Sequence, residues 1–322
     1  MSTEVDQPPD RPAPDRPETI RAVPVRHPGR WVSVGVVAVL AAMFVNLLVT
    51  NDRFEWSFIL DNIFAPPILR GAQTTVVMTL LAMSIGIGLG IVVAVMRLSP
   101  NPVLSWSAWL FTWFFRAVPR IVLLVLFGNL GILWQRLEFG LPFDRQLGAL
   151  FGITDFNARI FGFDARTFLT GFLAGLLGLA LSEAAYMAEI VRAGILSVGA
   201  GQSEAAAALG LSRFQTLRRI VLPQAMRAIV PPTGNELIAL LKDTALLAYV
   251  PVTSELWFQL SAIGARTFKL FPMLVAACLW YLFLTSLLMV AQHFIERYFS
   301  RGYGTAHRAR VRLRGLAGPR GA

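Results

Sequence analysis

Six long stretches of the chain are rich in apolar residues, and shorter polar segments separate them. A helix needs about 20 apolar residues to cross the hydrocarbon core of a bilayer. Each stretch reaches that length, so the pattern predicts an all-α, polytopic transmembrane helix bundle with six spans. The predicted spans cover Trp31 to Thr50, Gly71 to Met96, Leu104 to Trp134, Thr167 to Glu189, Ile229 to Val250 and Leu270 to Ile295.

The segments between the spans carry turn-forming residues. Pro66-Pro67 is expected to break any helix before the second span, and Pro100-Asn101-Pro102 is expected to form a turn. Residues 135 to 166 are predicted to form a loop with one short helix at the membrane surface. Within the second span, Gly86 and Gly90 lie one helical turn apart, and we interpret them as small residues that allow close helix packing.

A water-facing segment, Gly201 to Ala225, separates the fourth and fifth predicted spans. Ser203 is a candidate N-cap for a first short helix, because its hydroxyl can accept hydrogen bonds from free backbone N–H groups. Gly210 is expected to end that helix in the left-handed conformation. Ser212 starts the capping-box pattern Ser-x-x-Gln of a second helix, and Pro223 is expected to mark the end or a kink of that helix.

The composition agrees with a membrane protein. Hydrophobic residues make up 55% of the chain and charged residues 15%, whereas about a quarter of the residues of a soluble protein are charged. The single cysteine, Cys278, lies in a predicted span, which argues against a disulfide framework or a thiolate metal site. The three histidines are too scattered to suggest a metal site.

The formal net charge of +10 could indicate a nucleic-acid partner, but its distribution indicates membrane topology instead. Six spans place both termini on one side of the membrane, and that side carries 18 Lys and Arg residues against 8 on the other. By the positive-inside rule, the side with 18 is cytoplasmic. The segment Gly201 to Ala225 and both termini are therefore predicted to be cytoplasmic, and no nucleic-acid partner is needed.

Four polar residues interrupt the fifth predicted span: Asn235, Glu236, Lys242 and Asp243. Seven residues make about two helical turns, so Asn235 and Lys242 share one stripe, and Glu236 and Asp243 share the adjacent one. A charge within the hydrocarbon costs at least about 2.5–3.5 kcal/mol. We therefore expect the four residues to face the bundle interior, a partner subunit or an aqueous path.

Two interpretations of these four residues stay open. In one, the helix lines a translocation route, and Glu236 or Asp243 receives the charged groups of a substrate. In the other, the carboxylates form a structural ion-pair network with Arg116 or Arg120, which flank Pro119 in the third span. For the arginines we favour pairing or another structural role over contact with a substrate carboxylate.

Three polar residues of the fourth span are interpreted as structural: Glu183, Tyr186 and Glu189. Glu189 can pair with Arg192, because side chains three residues apart are neighbours on a helix.

Several residues of the water-facing segment form a pattern with fixed spacing: Glu204, Ala205, Ala206, Gly210, Ile220, Leu222 and Pro223. This pattern resembles the EAA signature of the membrane subunits of ABC importers, and the fuller string resembles the permeases of the polar amino-acid uptake family. Supporting matches cover Gly71 to Leu80, Phe114 to Leu124, Glu183 to Gln202 and Gly234 to Val250. The chain departs from the family at Ala117-Val118, where Gly-Thr is usual, and at Arg120, where an apolar residue is usual.

The resemblance implies the type I ABC importer permease fold and a division into four parts. Residues 1 to 30 would be a disordered cytoplasmic tail, 31 to 50 an extra N-terminal transmembrane helix, and 301 to 322 a basic cytoplasmic tail. Residues 57 to 300 would form the permease transmembrane domain, with the coupling loop at 192 to 227. The implied ATPase-coupling residues are Glu204, Ala205, Ala206, Gly210, Arg213, Arg218, Leu222 and Pro223.

The resemblance also implies a function and partners. The chain would be the permease subunit of an ATP-driven importer of polar amino acids or related compounds in the bacterial cytoplasmic (inner) membrane. Its partners would be a separate ATP-binding subunit, a second permease chain that is identical or paralogous, and an extracytoplasmic substrate-binding protein that loads onto the outer loops, including 135 to 166. The chain itself would need no cofactor, because the partner binds the ATP. The candidate substrate path comprises Asn235, Glu236, Lys242, Asp243 and Arg116.

Other classes of protein fit less well. The chain has no G-x-x-x-x-G-K-[ST] motif, so it is not expected to be the ATPase, and it carries no hydrolase signature. A DNA-binding helix-turn-helix is excluded by membrane spans on both sides of the segment. The main alternative is an ion-gradient-driven secondary amino-acid transporter, which predicts an inverted repeat that we do not find. A membrane scaffold without transport activity would need no intramembrane charges.

Overall fold

The computed structural model describes residues 28–133, 136–153, 156–164, 171–250 and 252–299. The predicted N-terminal tail, apart from its last three residues, and the predicted C-terminal tail lie outside these ranges.

Helices dominate the described residues. They are α1 (Pro28–Thr50), α2 (Trp56–Asn62), α3 (Pro66–Arg97), α4 (Pro102–Ala117), α5 (Arg120–Gly128), α6 (Leu130–Leu133), α7 (Asp144–Leu150), α8 (Gly171–Leu196), α9 (Ala200–Ala208), α10 (Arg213–Thr216), α11 (Leu222–Asp243), α12 (Leu256–Thr267) and α13 (Leu270–Phe299). Two strands, β1 (Arg136–Gly140) and β2 (Arg159–Asp164), pair in antiparallel orientation on either side of α7.

Four of the described helices, α1, α3, α8 and α13, are long and apolar enough to cross a membrane. The pair α4 and α5 can form a fifth crossing, although the two helices meet at an angle of 99°. Helix α11 overlaps the fifth predicted span but carries charged residues. The helical membrane architecture is confirmed, while the number of six spans stays a prediction.

The chain divides into two units at about Asp52, and each is described by itself. Helix α1 belongs to the first unit, and its apolar side chains are almost all exposed. The second unit begins at Arg53 and contains the remaining helices and the hairpin.

Prolines set the ends of several helices differently from the predictions. Pro66 and Pro67 begin α3 instead of breaking a helix, because the N–H groups of a first turn have no partner within the helix. Pro223 likewise lies in the first turn of α11, directly after a π-helical segment, so the predicted helix end there is wrong, while the kink stays a prediction. Pro119 separates α4 from α5, and Val118 before it is extended, as steric contact with a following proline requires.

The fifth predicted span begins and ends earlier than expected. Helix α11 starts at Leu222 and ends at Asp243, and a 3₁₀ segment, Thr244–Tyr249, follows it. Pro231 and Pro232 lie inside the helix. The side-chain amide of Gln292 in α13 donates to the carbonyl of Pro231 at 3.4 Å. A side chain of a neighbouring helix thus contacts the backbone of α11 at the proline pair.

The core of the second unit forms where α3, α5, α8 and α11 meet. Its buried apolar side chains include Met78, Leu124, Leu179, Met187 and Leu240. A second cluster joins α2, α3, α12 and α13 through Ile59, Ile68, Leu256, Leu260 and Met273. Because α8 packs against several of the other helices, the side chains that it carries are held in fixed positions.

The segment between α6 and α8 is more regular than the predicted loop. It contains the expected short helix, α7, but also the two strands, which the all-α prediction missed.

Candidate functional site

The predicted helix–turn–helix between α8 and α11 is present. Helix α9 begins at Ala200 with Gly199 as its N-cap, so the prediction that Ser203 caps it is wrong. The predicted stop at Gly210 is confirmed, because its φ is +73°. The N–H groups of Gly210 and Leu211 donate to the carbonyls of Ala207 and Ala206 at 2.9 and 3.1 Å, the two bonds of a Schellman motif.

The predicted capping box starts the second helix. The N–H of Gln215 donates to Oγ of Ser212 at 3.3 Å, and the N–H of Ser212 donates to Oε1 of Gln215 at 2.9 Å. Helix α10 then continues through a π-helical segment, Leu217–Val221, into α11. The turn is therefore held by hydrogen bonds of backbone N–H groups on both sides and leads directly into α11.

Most of the predicted coupling residues are exposed. The exposed ones are Glu204, Ala205, Gly210, Arg213, Arg218, Leu222 and Pro223. Ala206 is only 1% exposed, so its small side chain packs within the fold. Two large apolar side chains flank the turn and are exposed to solvent: Leu209 is 80% and Phe214 69% exposed. Neither was predicted as a coupling residue. Large apolar residues on both sides of a glycine turn, within a polar segment, are the sequence signal that could have identified them.

A single guanidinium joins three helices inside the bundle. Arg120, at the start of α5, places Nη1 2.5 Å from Oδ2 of Asp243 in α11 and Nη2 3.3 Å from Oε2 of Glu183 in α8. Its Nε donates to Oγ of Ser182 at 3.2 Å. The Glu183 side chain is completely buried. The ion pair with Arg120, which one of the two open interpretations of the carboxylates predicted, is therefore present for Asp243, and its place on the substrate path stays a prediction.

Tyr186 lies between the two arginines. The Cζ atoms of Arg116 and Arg120 are 5.5 and 5.3 Å from the centroid of its ring, within the range of cation–π attraction. Arg116 is exposed, and no carboxylate in the described part of the chain forms an ion pair with it. Sequence reasoning assigned Tyr186 a structural role, but a ring between two cations also fixes where both charges lie.

A cavity of about 580 Å³ opens beside this ring. Arg116, Tyr186, Glu189 and Glu236 supply its polar wall. Glu236 is half-buried, and among the described residues it makes no hydrogen bond or ion pair. The cavity thus has on its wall a cation and a carboxylate for which the described residues show no ion pair, whereas Glu189 pairs with Arg192 at 2.7 Å, as predicted.

The other two polar residues of α11 lie elsewhere. Asn235 is exposed, and its Oδ1 accepts a hydrogen bond from Gln292 of α13 at 3.0 Å. Lys242 is also exposed and does not line the cavity. The structure therefore brings Arg116 and Glu236 to one cavity and Asp243 to Arg120, but it does not bring all five candidate path residues together.

Comparisons with known proteins agree with this arrangement. Residues 86–301 match the family model "binding-protein-dependent transport system inner membrane component". The arginine transport system permease protein ArgU of Corynebacterium glutamicum is 42% identical over 308 residues, which cover 95% of this chain and 91% of that protein. A probable amino-acid permease protein of Bacillus subtilis, YxeN, is 33% identical over 254 residues, 79% of this chain and 100% of that protein.

A solved structure also resembles the fold. The crystal structure of an amino acid ABC transporter with histidines superposes with a TM-score of 0.57 at 28% identity and covers 73% of this chain and 95% of that chain. The family match extends over both the helix–turn–helix and the bundle that holds Arg120. This chain belongs to the family of inner-membrane components of binding-protein-dependent transport systems.

Proposed function

We propose that this chain is the permease subunit of an importer that moves amino acids into a bacterial cell, driven by ATP hydrolysis on a separate subunit. The observation that carries the proposal is the rigid helix–turn–helix, which exposes Leu209 and Phe214 at a fixed position between two membrane helices. Exposed apolar side chains on a water-facing turn favour burial against a partner protein.

The partner that fits this surface is the ATP-binding subunit. Glu204, Ala205, Gly210, Arg213, Arg218, Leu222 and Pro223 would surround the two apolar side chains, and Ala206 would support them from within. Charges around an apolar centre set the orientation of a partner. Since α10 leads through the π segment into α11, a movement of the ATP-binding subunit would be transmitted to the helix that carries Glu236 and Asp243.

The cavity next to Tyr186 supports an amino-acid substrate. An amino acid carries a carboxylate and an ammonium group, and Arg116 and Glu236 offer one charge of each sign on the cavity wall. The similarity to ArgU favours a cationic amino acid such as arginine among the polar amino acids. We propose that Arg116 receives the carboxylate and Glu236 the cationic group, while Asp243 acts through Arg120 and Asn235 through Gln292; Lys242 has no assigned contact.

The remaining partners follow from the family. A second permease chain, identical or paralogous, would complete the path, and an extracytoplasmic substrate-binding protein would deliver the substrate. Both termini and the helix–turn–helix would be cytoplasmic, in agreement with the 18 basic residues on that side. The chain would hold no cofactor of its own.

Co-purification of the ATP-binding subunit tests the coupling surface. The variant Phe214→Asp places a charge at the centre of the proposed contact and should abolish co-purification. Phe268→Asp is the matched control, because Phe268 is 94% exposed but lies between α12 and α13. If no ATP-binding subunit co-purifies even with the wild-type chain, the proposal fails and the ion-gradient-driven transporter replaces it.

Uptake into proteoliposomes tests the energy source and the substrate. Arginine uptake should require internal ATP and should survive collapse of the ion gradients. Glu236→Gln should raise the apparent KM for arginine about tenfold or more and change glutamine uptake less, because a lost charge pair costs more than 1.4 kcal/mol. Lys242→Gln is the control, since Lys242 does not line the cavity. Equal effects of both variants would remove Glu236 from the substrate path.

A further inference from the structure

The hairpin of β1 and β2 has one charged face and one aromatic face. Side chains alternate between the two faces of a strand, and the register pairs Leu137 with Phe163 and Phe139 with Phe161. These four side chains share one face. The ring of Phe139 stacks on that of Phe161, with centroids 5.0 Å apart, and lies 6.0 Å from that of Phe163.

The opposite side of the hairpin carries charged side chains that form ion pairs with one another. Nε of Arg136 lies 3.7 Å from Oε1 of Glu138, and Arg159 forms ion pairs with both Glu138 and Asp144. Asp144, at the start of α7, is buried, and its carboxylate also accepts from the N–H of Ala158 at 3.3 Å. The charges therefore hold the hairpin and α7 together as a small module.

Two of the four side chains on the aromatic face, Phe139 and Phe161, are exposed, whereas Leu137 and Phe163 are half-buried. Phe139 is 51% and Phe161 59% exposed. A lone two-stranded hairpin is marginally stable in water and needs its apolar face packed against something. Further exposed apolar side chains occupy the connection between the strands: Leu141, Phe143, Leu150, Phe151 and Ile153. Ile160, within β2, is also exposed.

The chain keeps this hairpin close to the membrane. Arg136 follows Leu133, the end of α6, by three residues, which span at most about 11 Å. Asp164 precedes Gly171, the start of α8, by seven residues, at most about 25 Å. Helix α8 has 26 residues, about 39 Å, and its other end leads to the helix–turn–helix. These lengths keep the hairpin within about 25 Å of the end of α8 that is opposite the helix–turn–helix.

We propose that the hairpin lies flat on the bilayer at this end of α8, with Phe139 and Phe161 inserted between lipid headgroups and upper acyl chains. Aromatic side chains prefer this boundary, and apolar faces insert about 5–10 Å into it. A lipid surface fits better than a protein partner, because the charges of the module pair internally instead of surrounding the apolar face. The inference needs a membrane location alone and is independent of the proposed substrate and ATP-binding partner.

Depth measurements on the full transporter in lipid nanodiscs test the proposal. The single cysteine, Cys278, is replaced by serine, and an environment-sensitive fluorophore is attached to Phe161→Cys on the aromatic face or to Arg136→Cys on the charged face. Phe161 pairs with Phe139, three residues further from the span than Arg136. If the hairpin extends away from the membrane into water, position 161 lies about 10 Å farther from the bilayer than position 136. If the hairpin lies on its aromatic face, position 161 lies deeper in the bilayer than position 136.

Quenching by lipids that carry a nitroxide near the headgroup should be at least about twofold stronger at position 161 than at position 136. Phe139→Cys should behave like Phe161→Cys, which guards against a local disturbance at one site. Equal quenching, or stronger quenching by aqueous iodide at position 161, would overturn the proposal. Shielding of position 161 that requires added substrate-binding protein would also overturn it, and would identify the aromatic face as a protein contact.

Discussion

The guanidinium of Arg120 lies 2.5 Å from the carboxylate of Asp243, across 123 residues of sequence. The same guanidinium contacts Glu183, so one cation at the start of α5 is shared by two carboxylates on α8 and α11. The two carboxylates differ in burial: the Glu183 side chain is fully buried, whereas that of Asp243 is 36% exposed. Loss of the cation should therefore destabilise the protein mainly through Glu183, and less through Asp243.

Arg120→Met should destabilise the protein strongly. Glu183 would lose its cation while it stays buried, and its Oε1 already has no hydrogen-bond partner. Leaving a buried charge unpaired costs about 3–5 kcal/mol, which denaturant titration of the purified protein would measure as a lower free energy of unfolding. Adding Glu183→Gln to the Arg120→Met variant should recover part of the loss. If the free energy of unfolding of Arg120→Met falls by less than about 1 kcal/mol, the pair contributes no more than an ordinary surface ion pair.

Asp243→Asn should affect transport rate more than substrate affinity. Asp243 joins α11 to α5 through Arg120 but does not line the cavity that holds Glu236. We expect the maximal rate of uptake to fall while the apparent KM stays within about twofold of the wild-type value. A raised KM with an unchanged maximal rate would instead assign Asp243 to the substrate contact.

Gly90→Ala should destabilise the packing of α3 on α8, and Gly88→Ala should not. A Cβ at Gly90 would lie 2.6 Å from Cβ of Met187 and 3.0 Å from the carbonyl oxygen of Ala184, whereas a Cβ at Gly88 meets nothing within 4 Å. Overpacking of this kind costs about 1–3 kcal/mol, while alanine at an open helical site can even stabilise slightly. Thermal unfolding of both variants would show the difference, and equal melting temperatures would contradict the packing role of Gly90.

The membrane helices and the helix–turn–helix were predictable because their signals are local. A run of apolar residues identifies α3, α8 and α13 without knowledge of their neighbours, and the dihedral requirement at Gly210 or the capping box at Ser212 depends on a few adjacent residues. Helix boundaries were less predictable. Pro66 and Pro223 begin helices, and a proline alone does not indicate whether it starts or ends one.

Long-range pairs could be suggested from the sequence but not selected. Helical spacing predicted that Glu236 and Asp243 share a stripe and that either could pair with Arg116 or Arg120, but only the packing of α5 against α11 shows that Asp243 reaches Arg120. The strands around α7 escaped prediction because Arg136–Gly140 is short and contains two charges and a glycine, which weakens any alternating pattern.

Gly210→Ala should loosen the coupling turn without disturbing the membrane bundle. At a φ of +73°, alanine is strained although open space surrounds its Cβ, and the left-handed conformation costs about 1–2 kcal/mol for a residue with a Cβ. The N–H groups of Gly210 and Leu211 close the Schellman motif, so in the variant the amide of Leu211 should exchange its hydrogen about tenfold faster, since 1.4 kcal/mol corresponds to a factor of ten. Gly201→Ala is the control, because Gly201 has ordinary helical geometry and no atom near its Cβ. If both variants exchange alike and bind the ATP-binding subunit equally well, the geometry at Gly210 does not matter for coupling. If exchange at Leu211 rises and binding of that subunit falls in Gly210→Ala alone, the fixed turn itself is what the partner recognises.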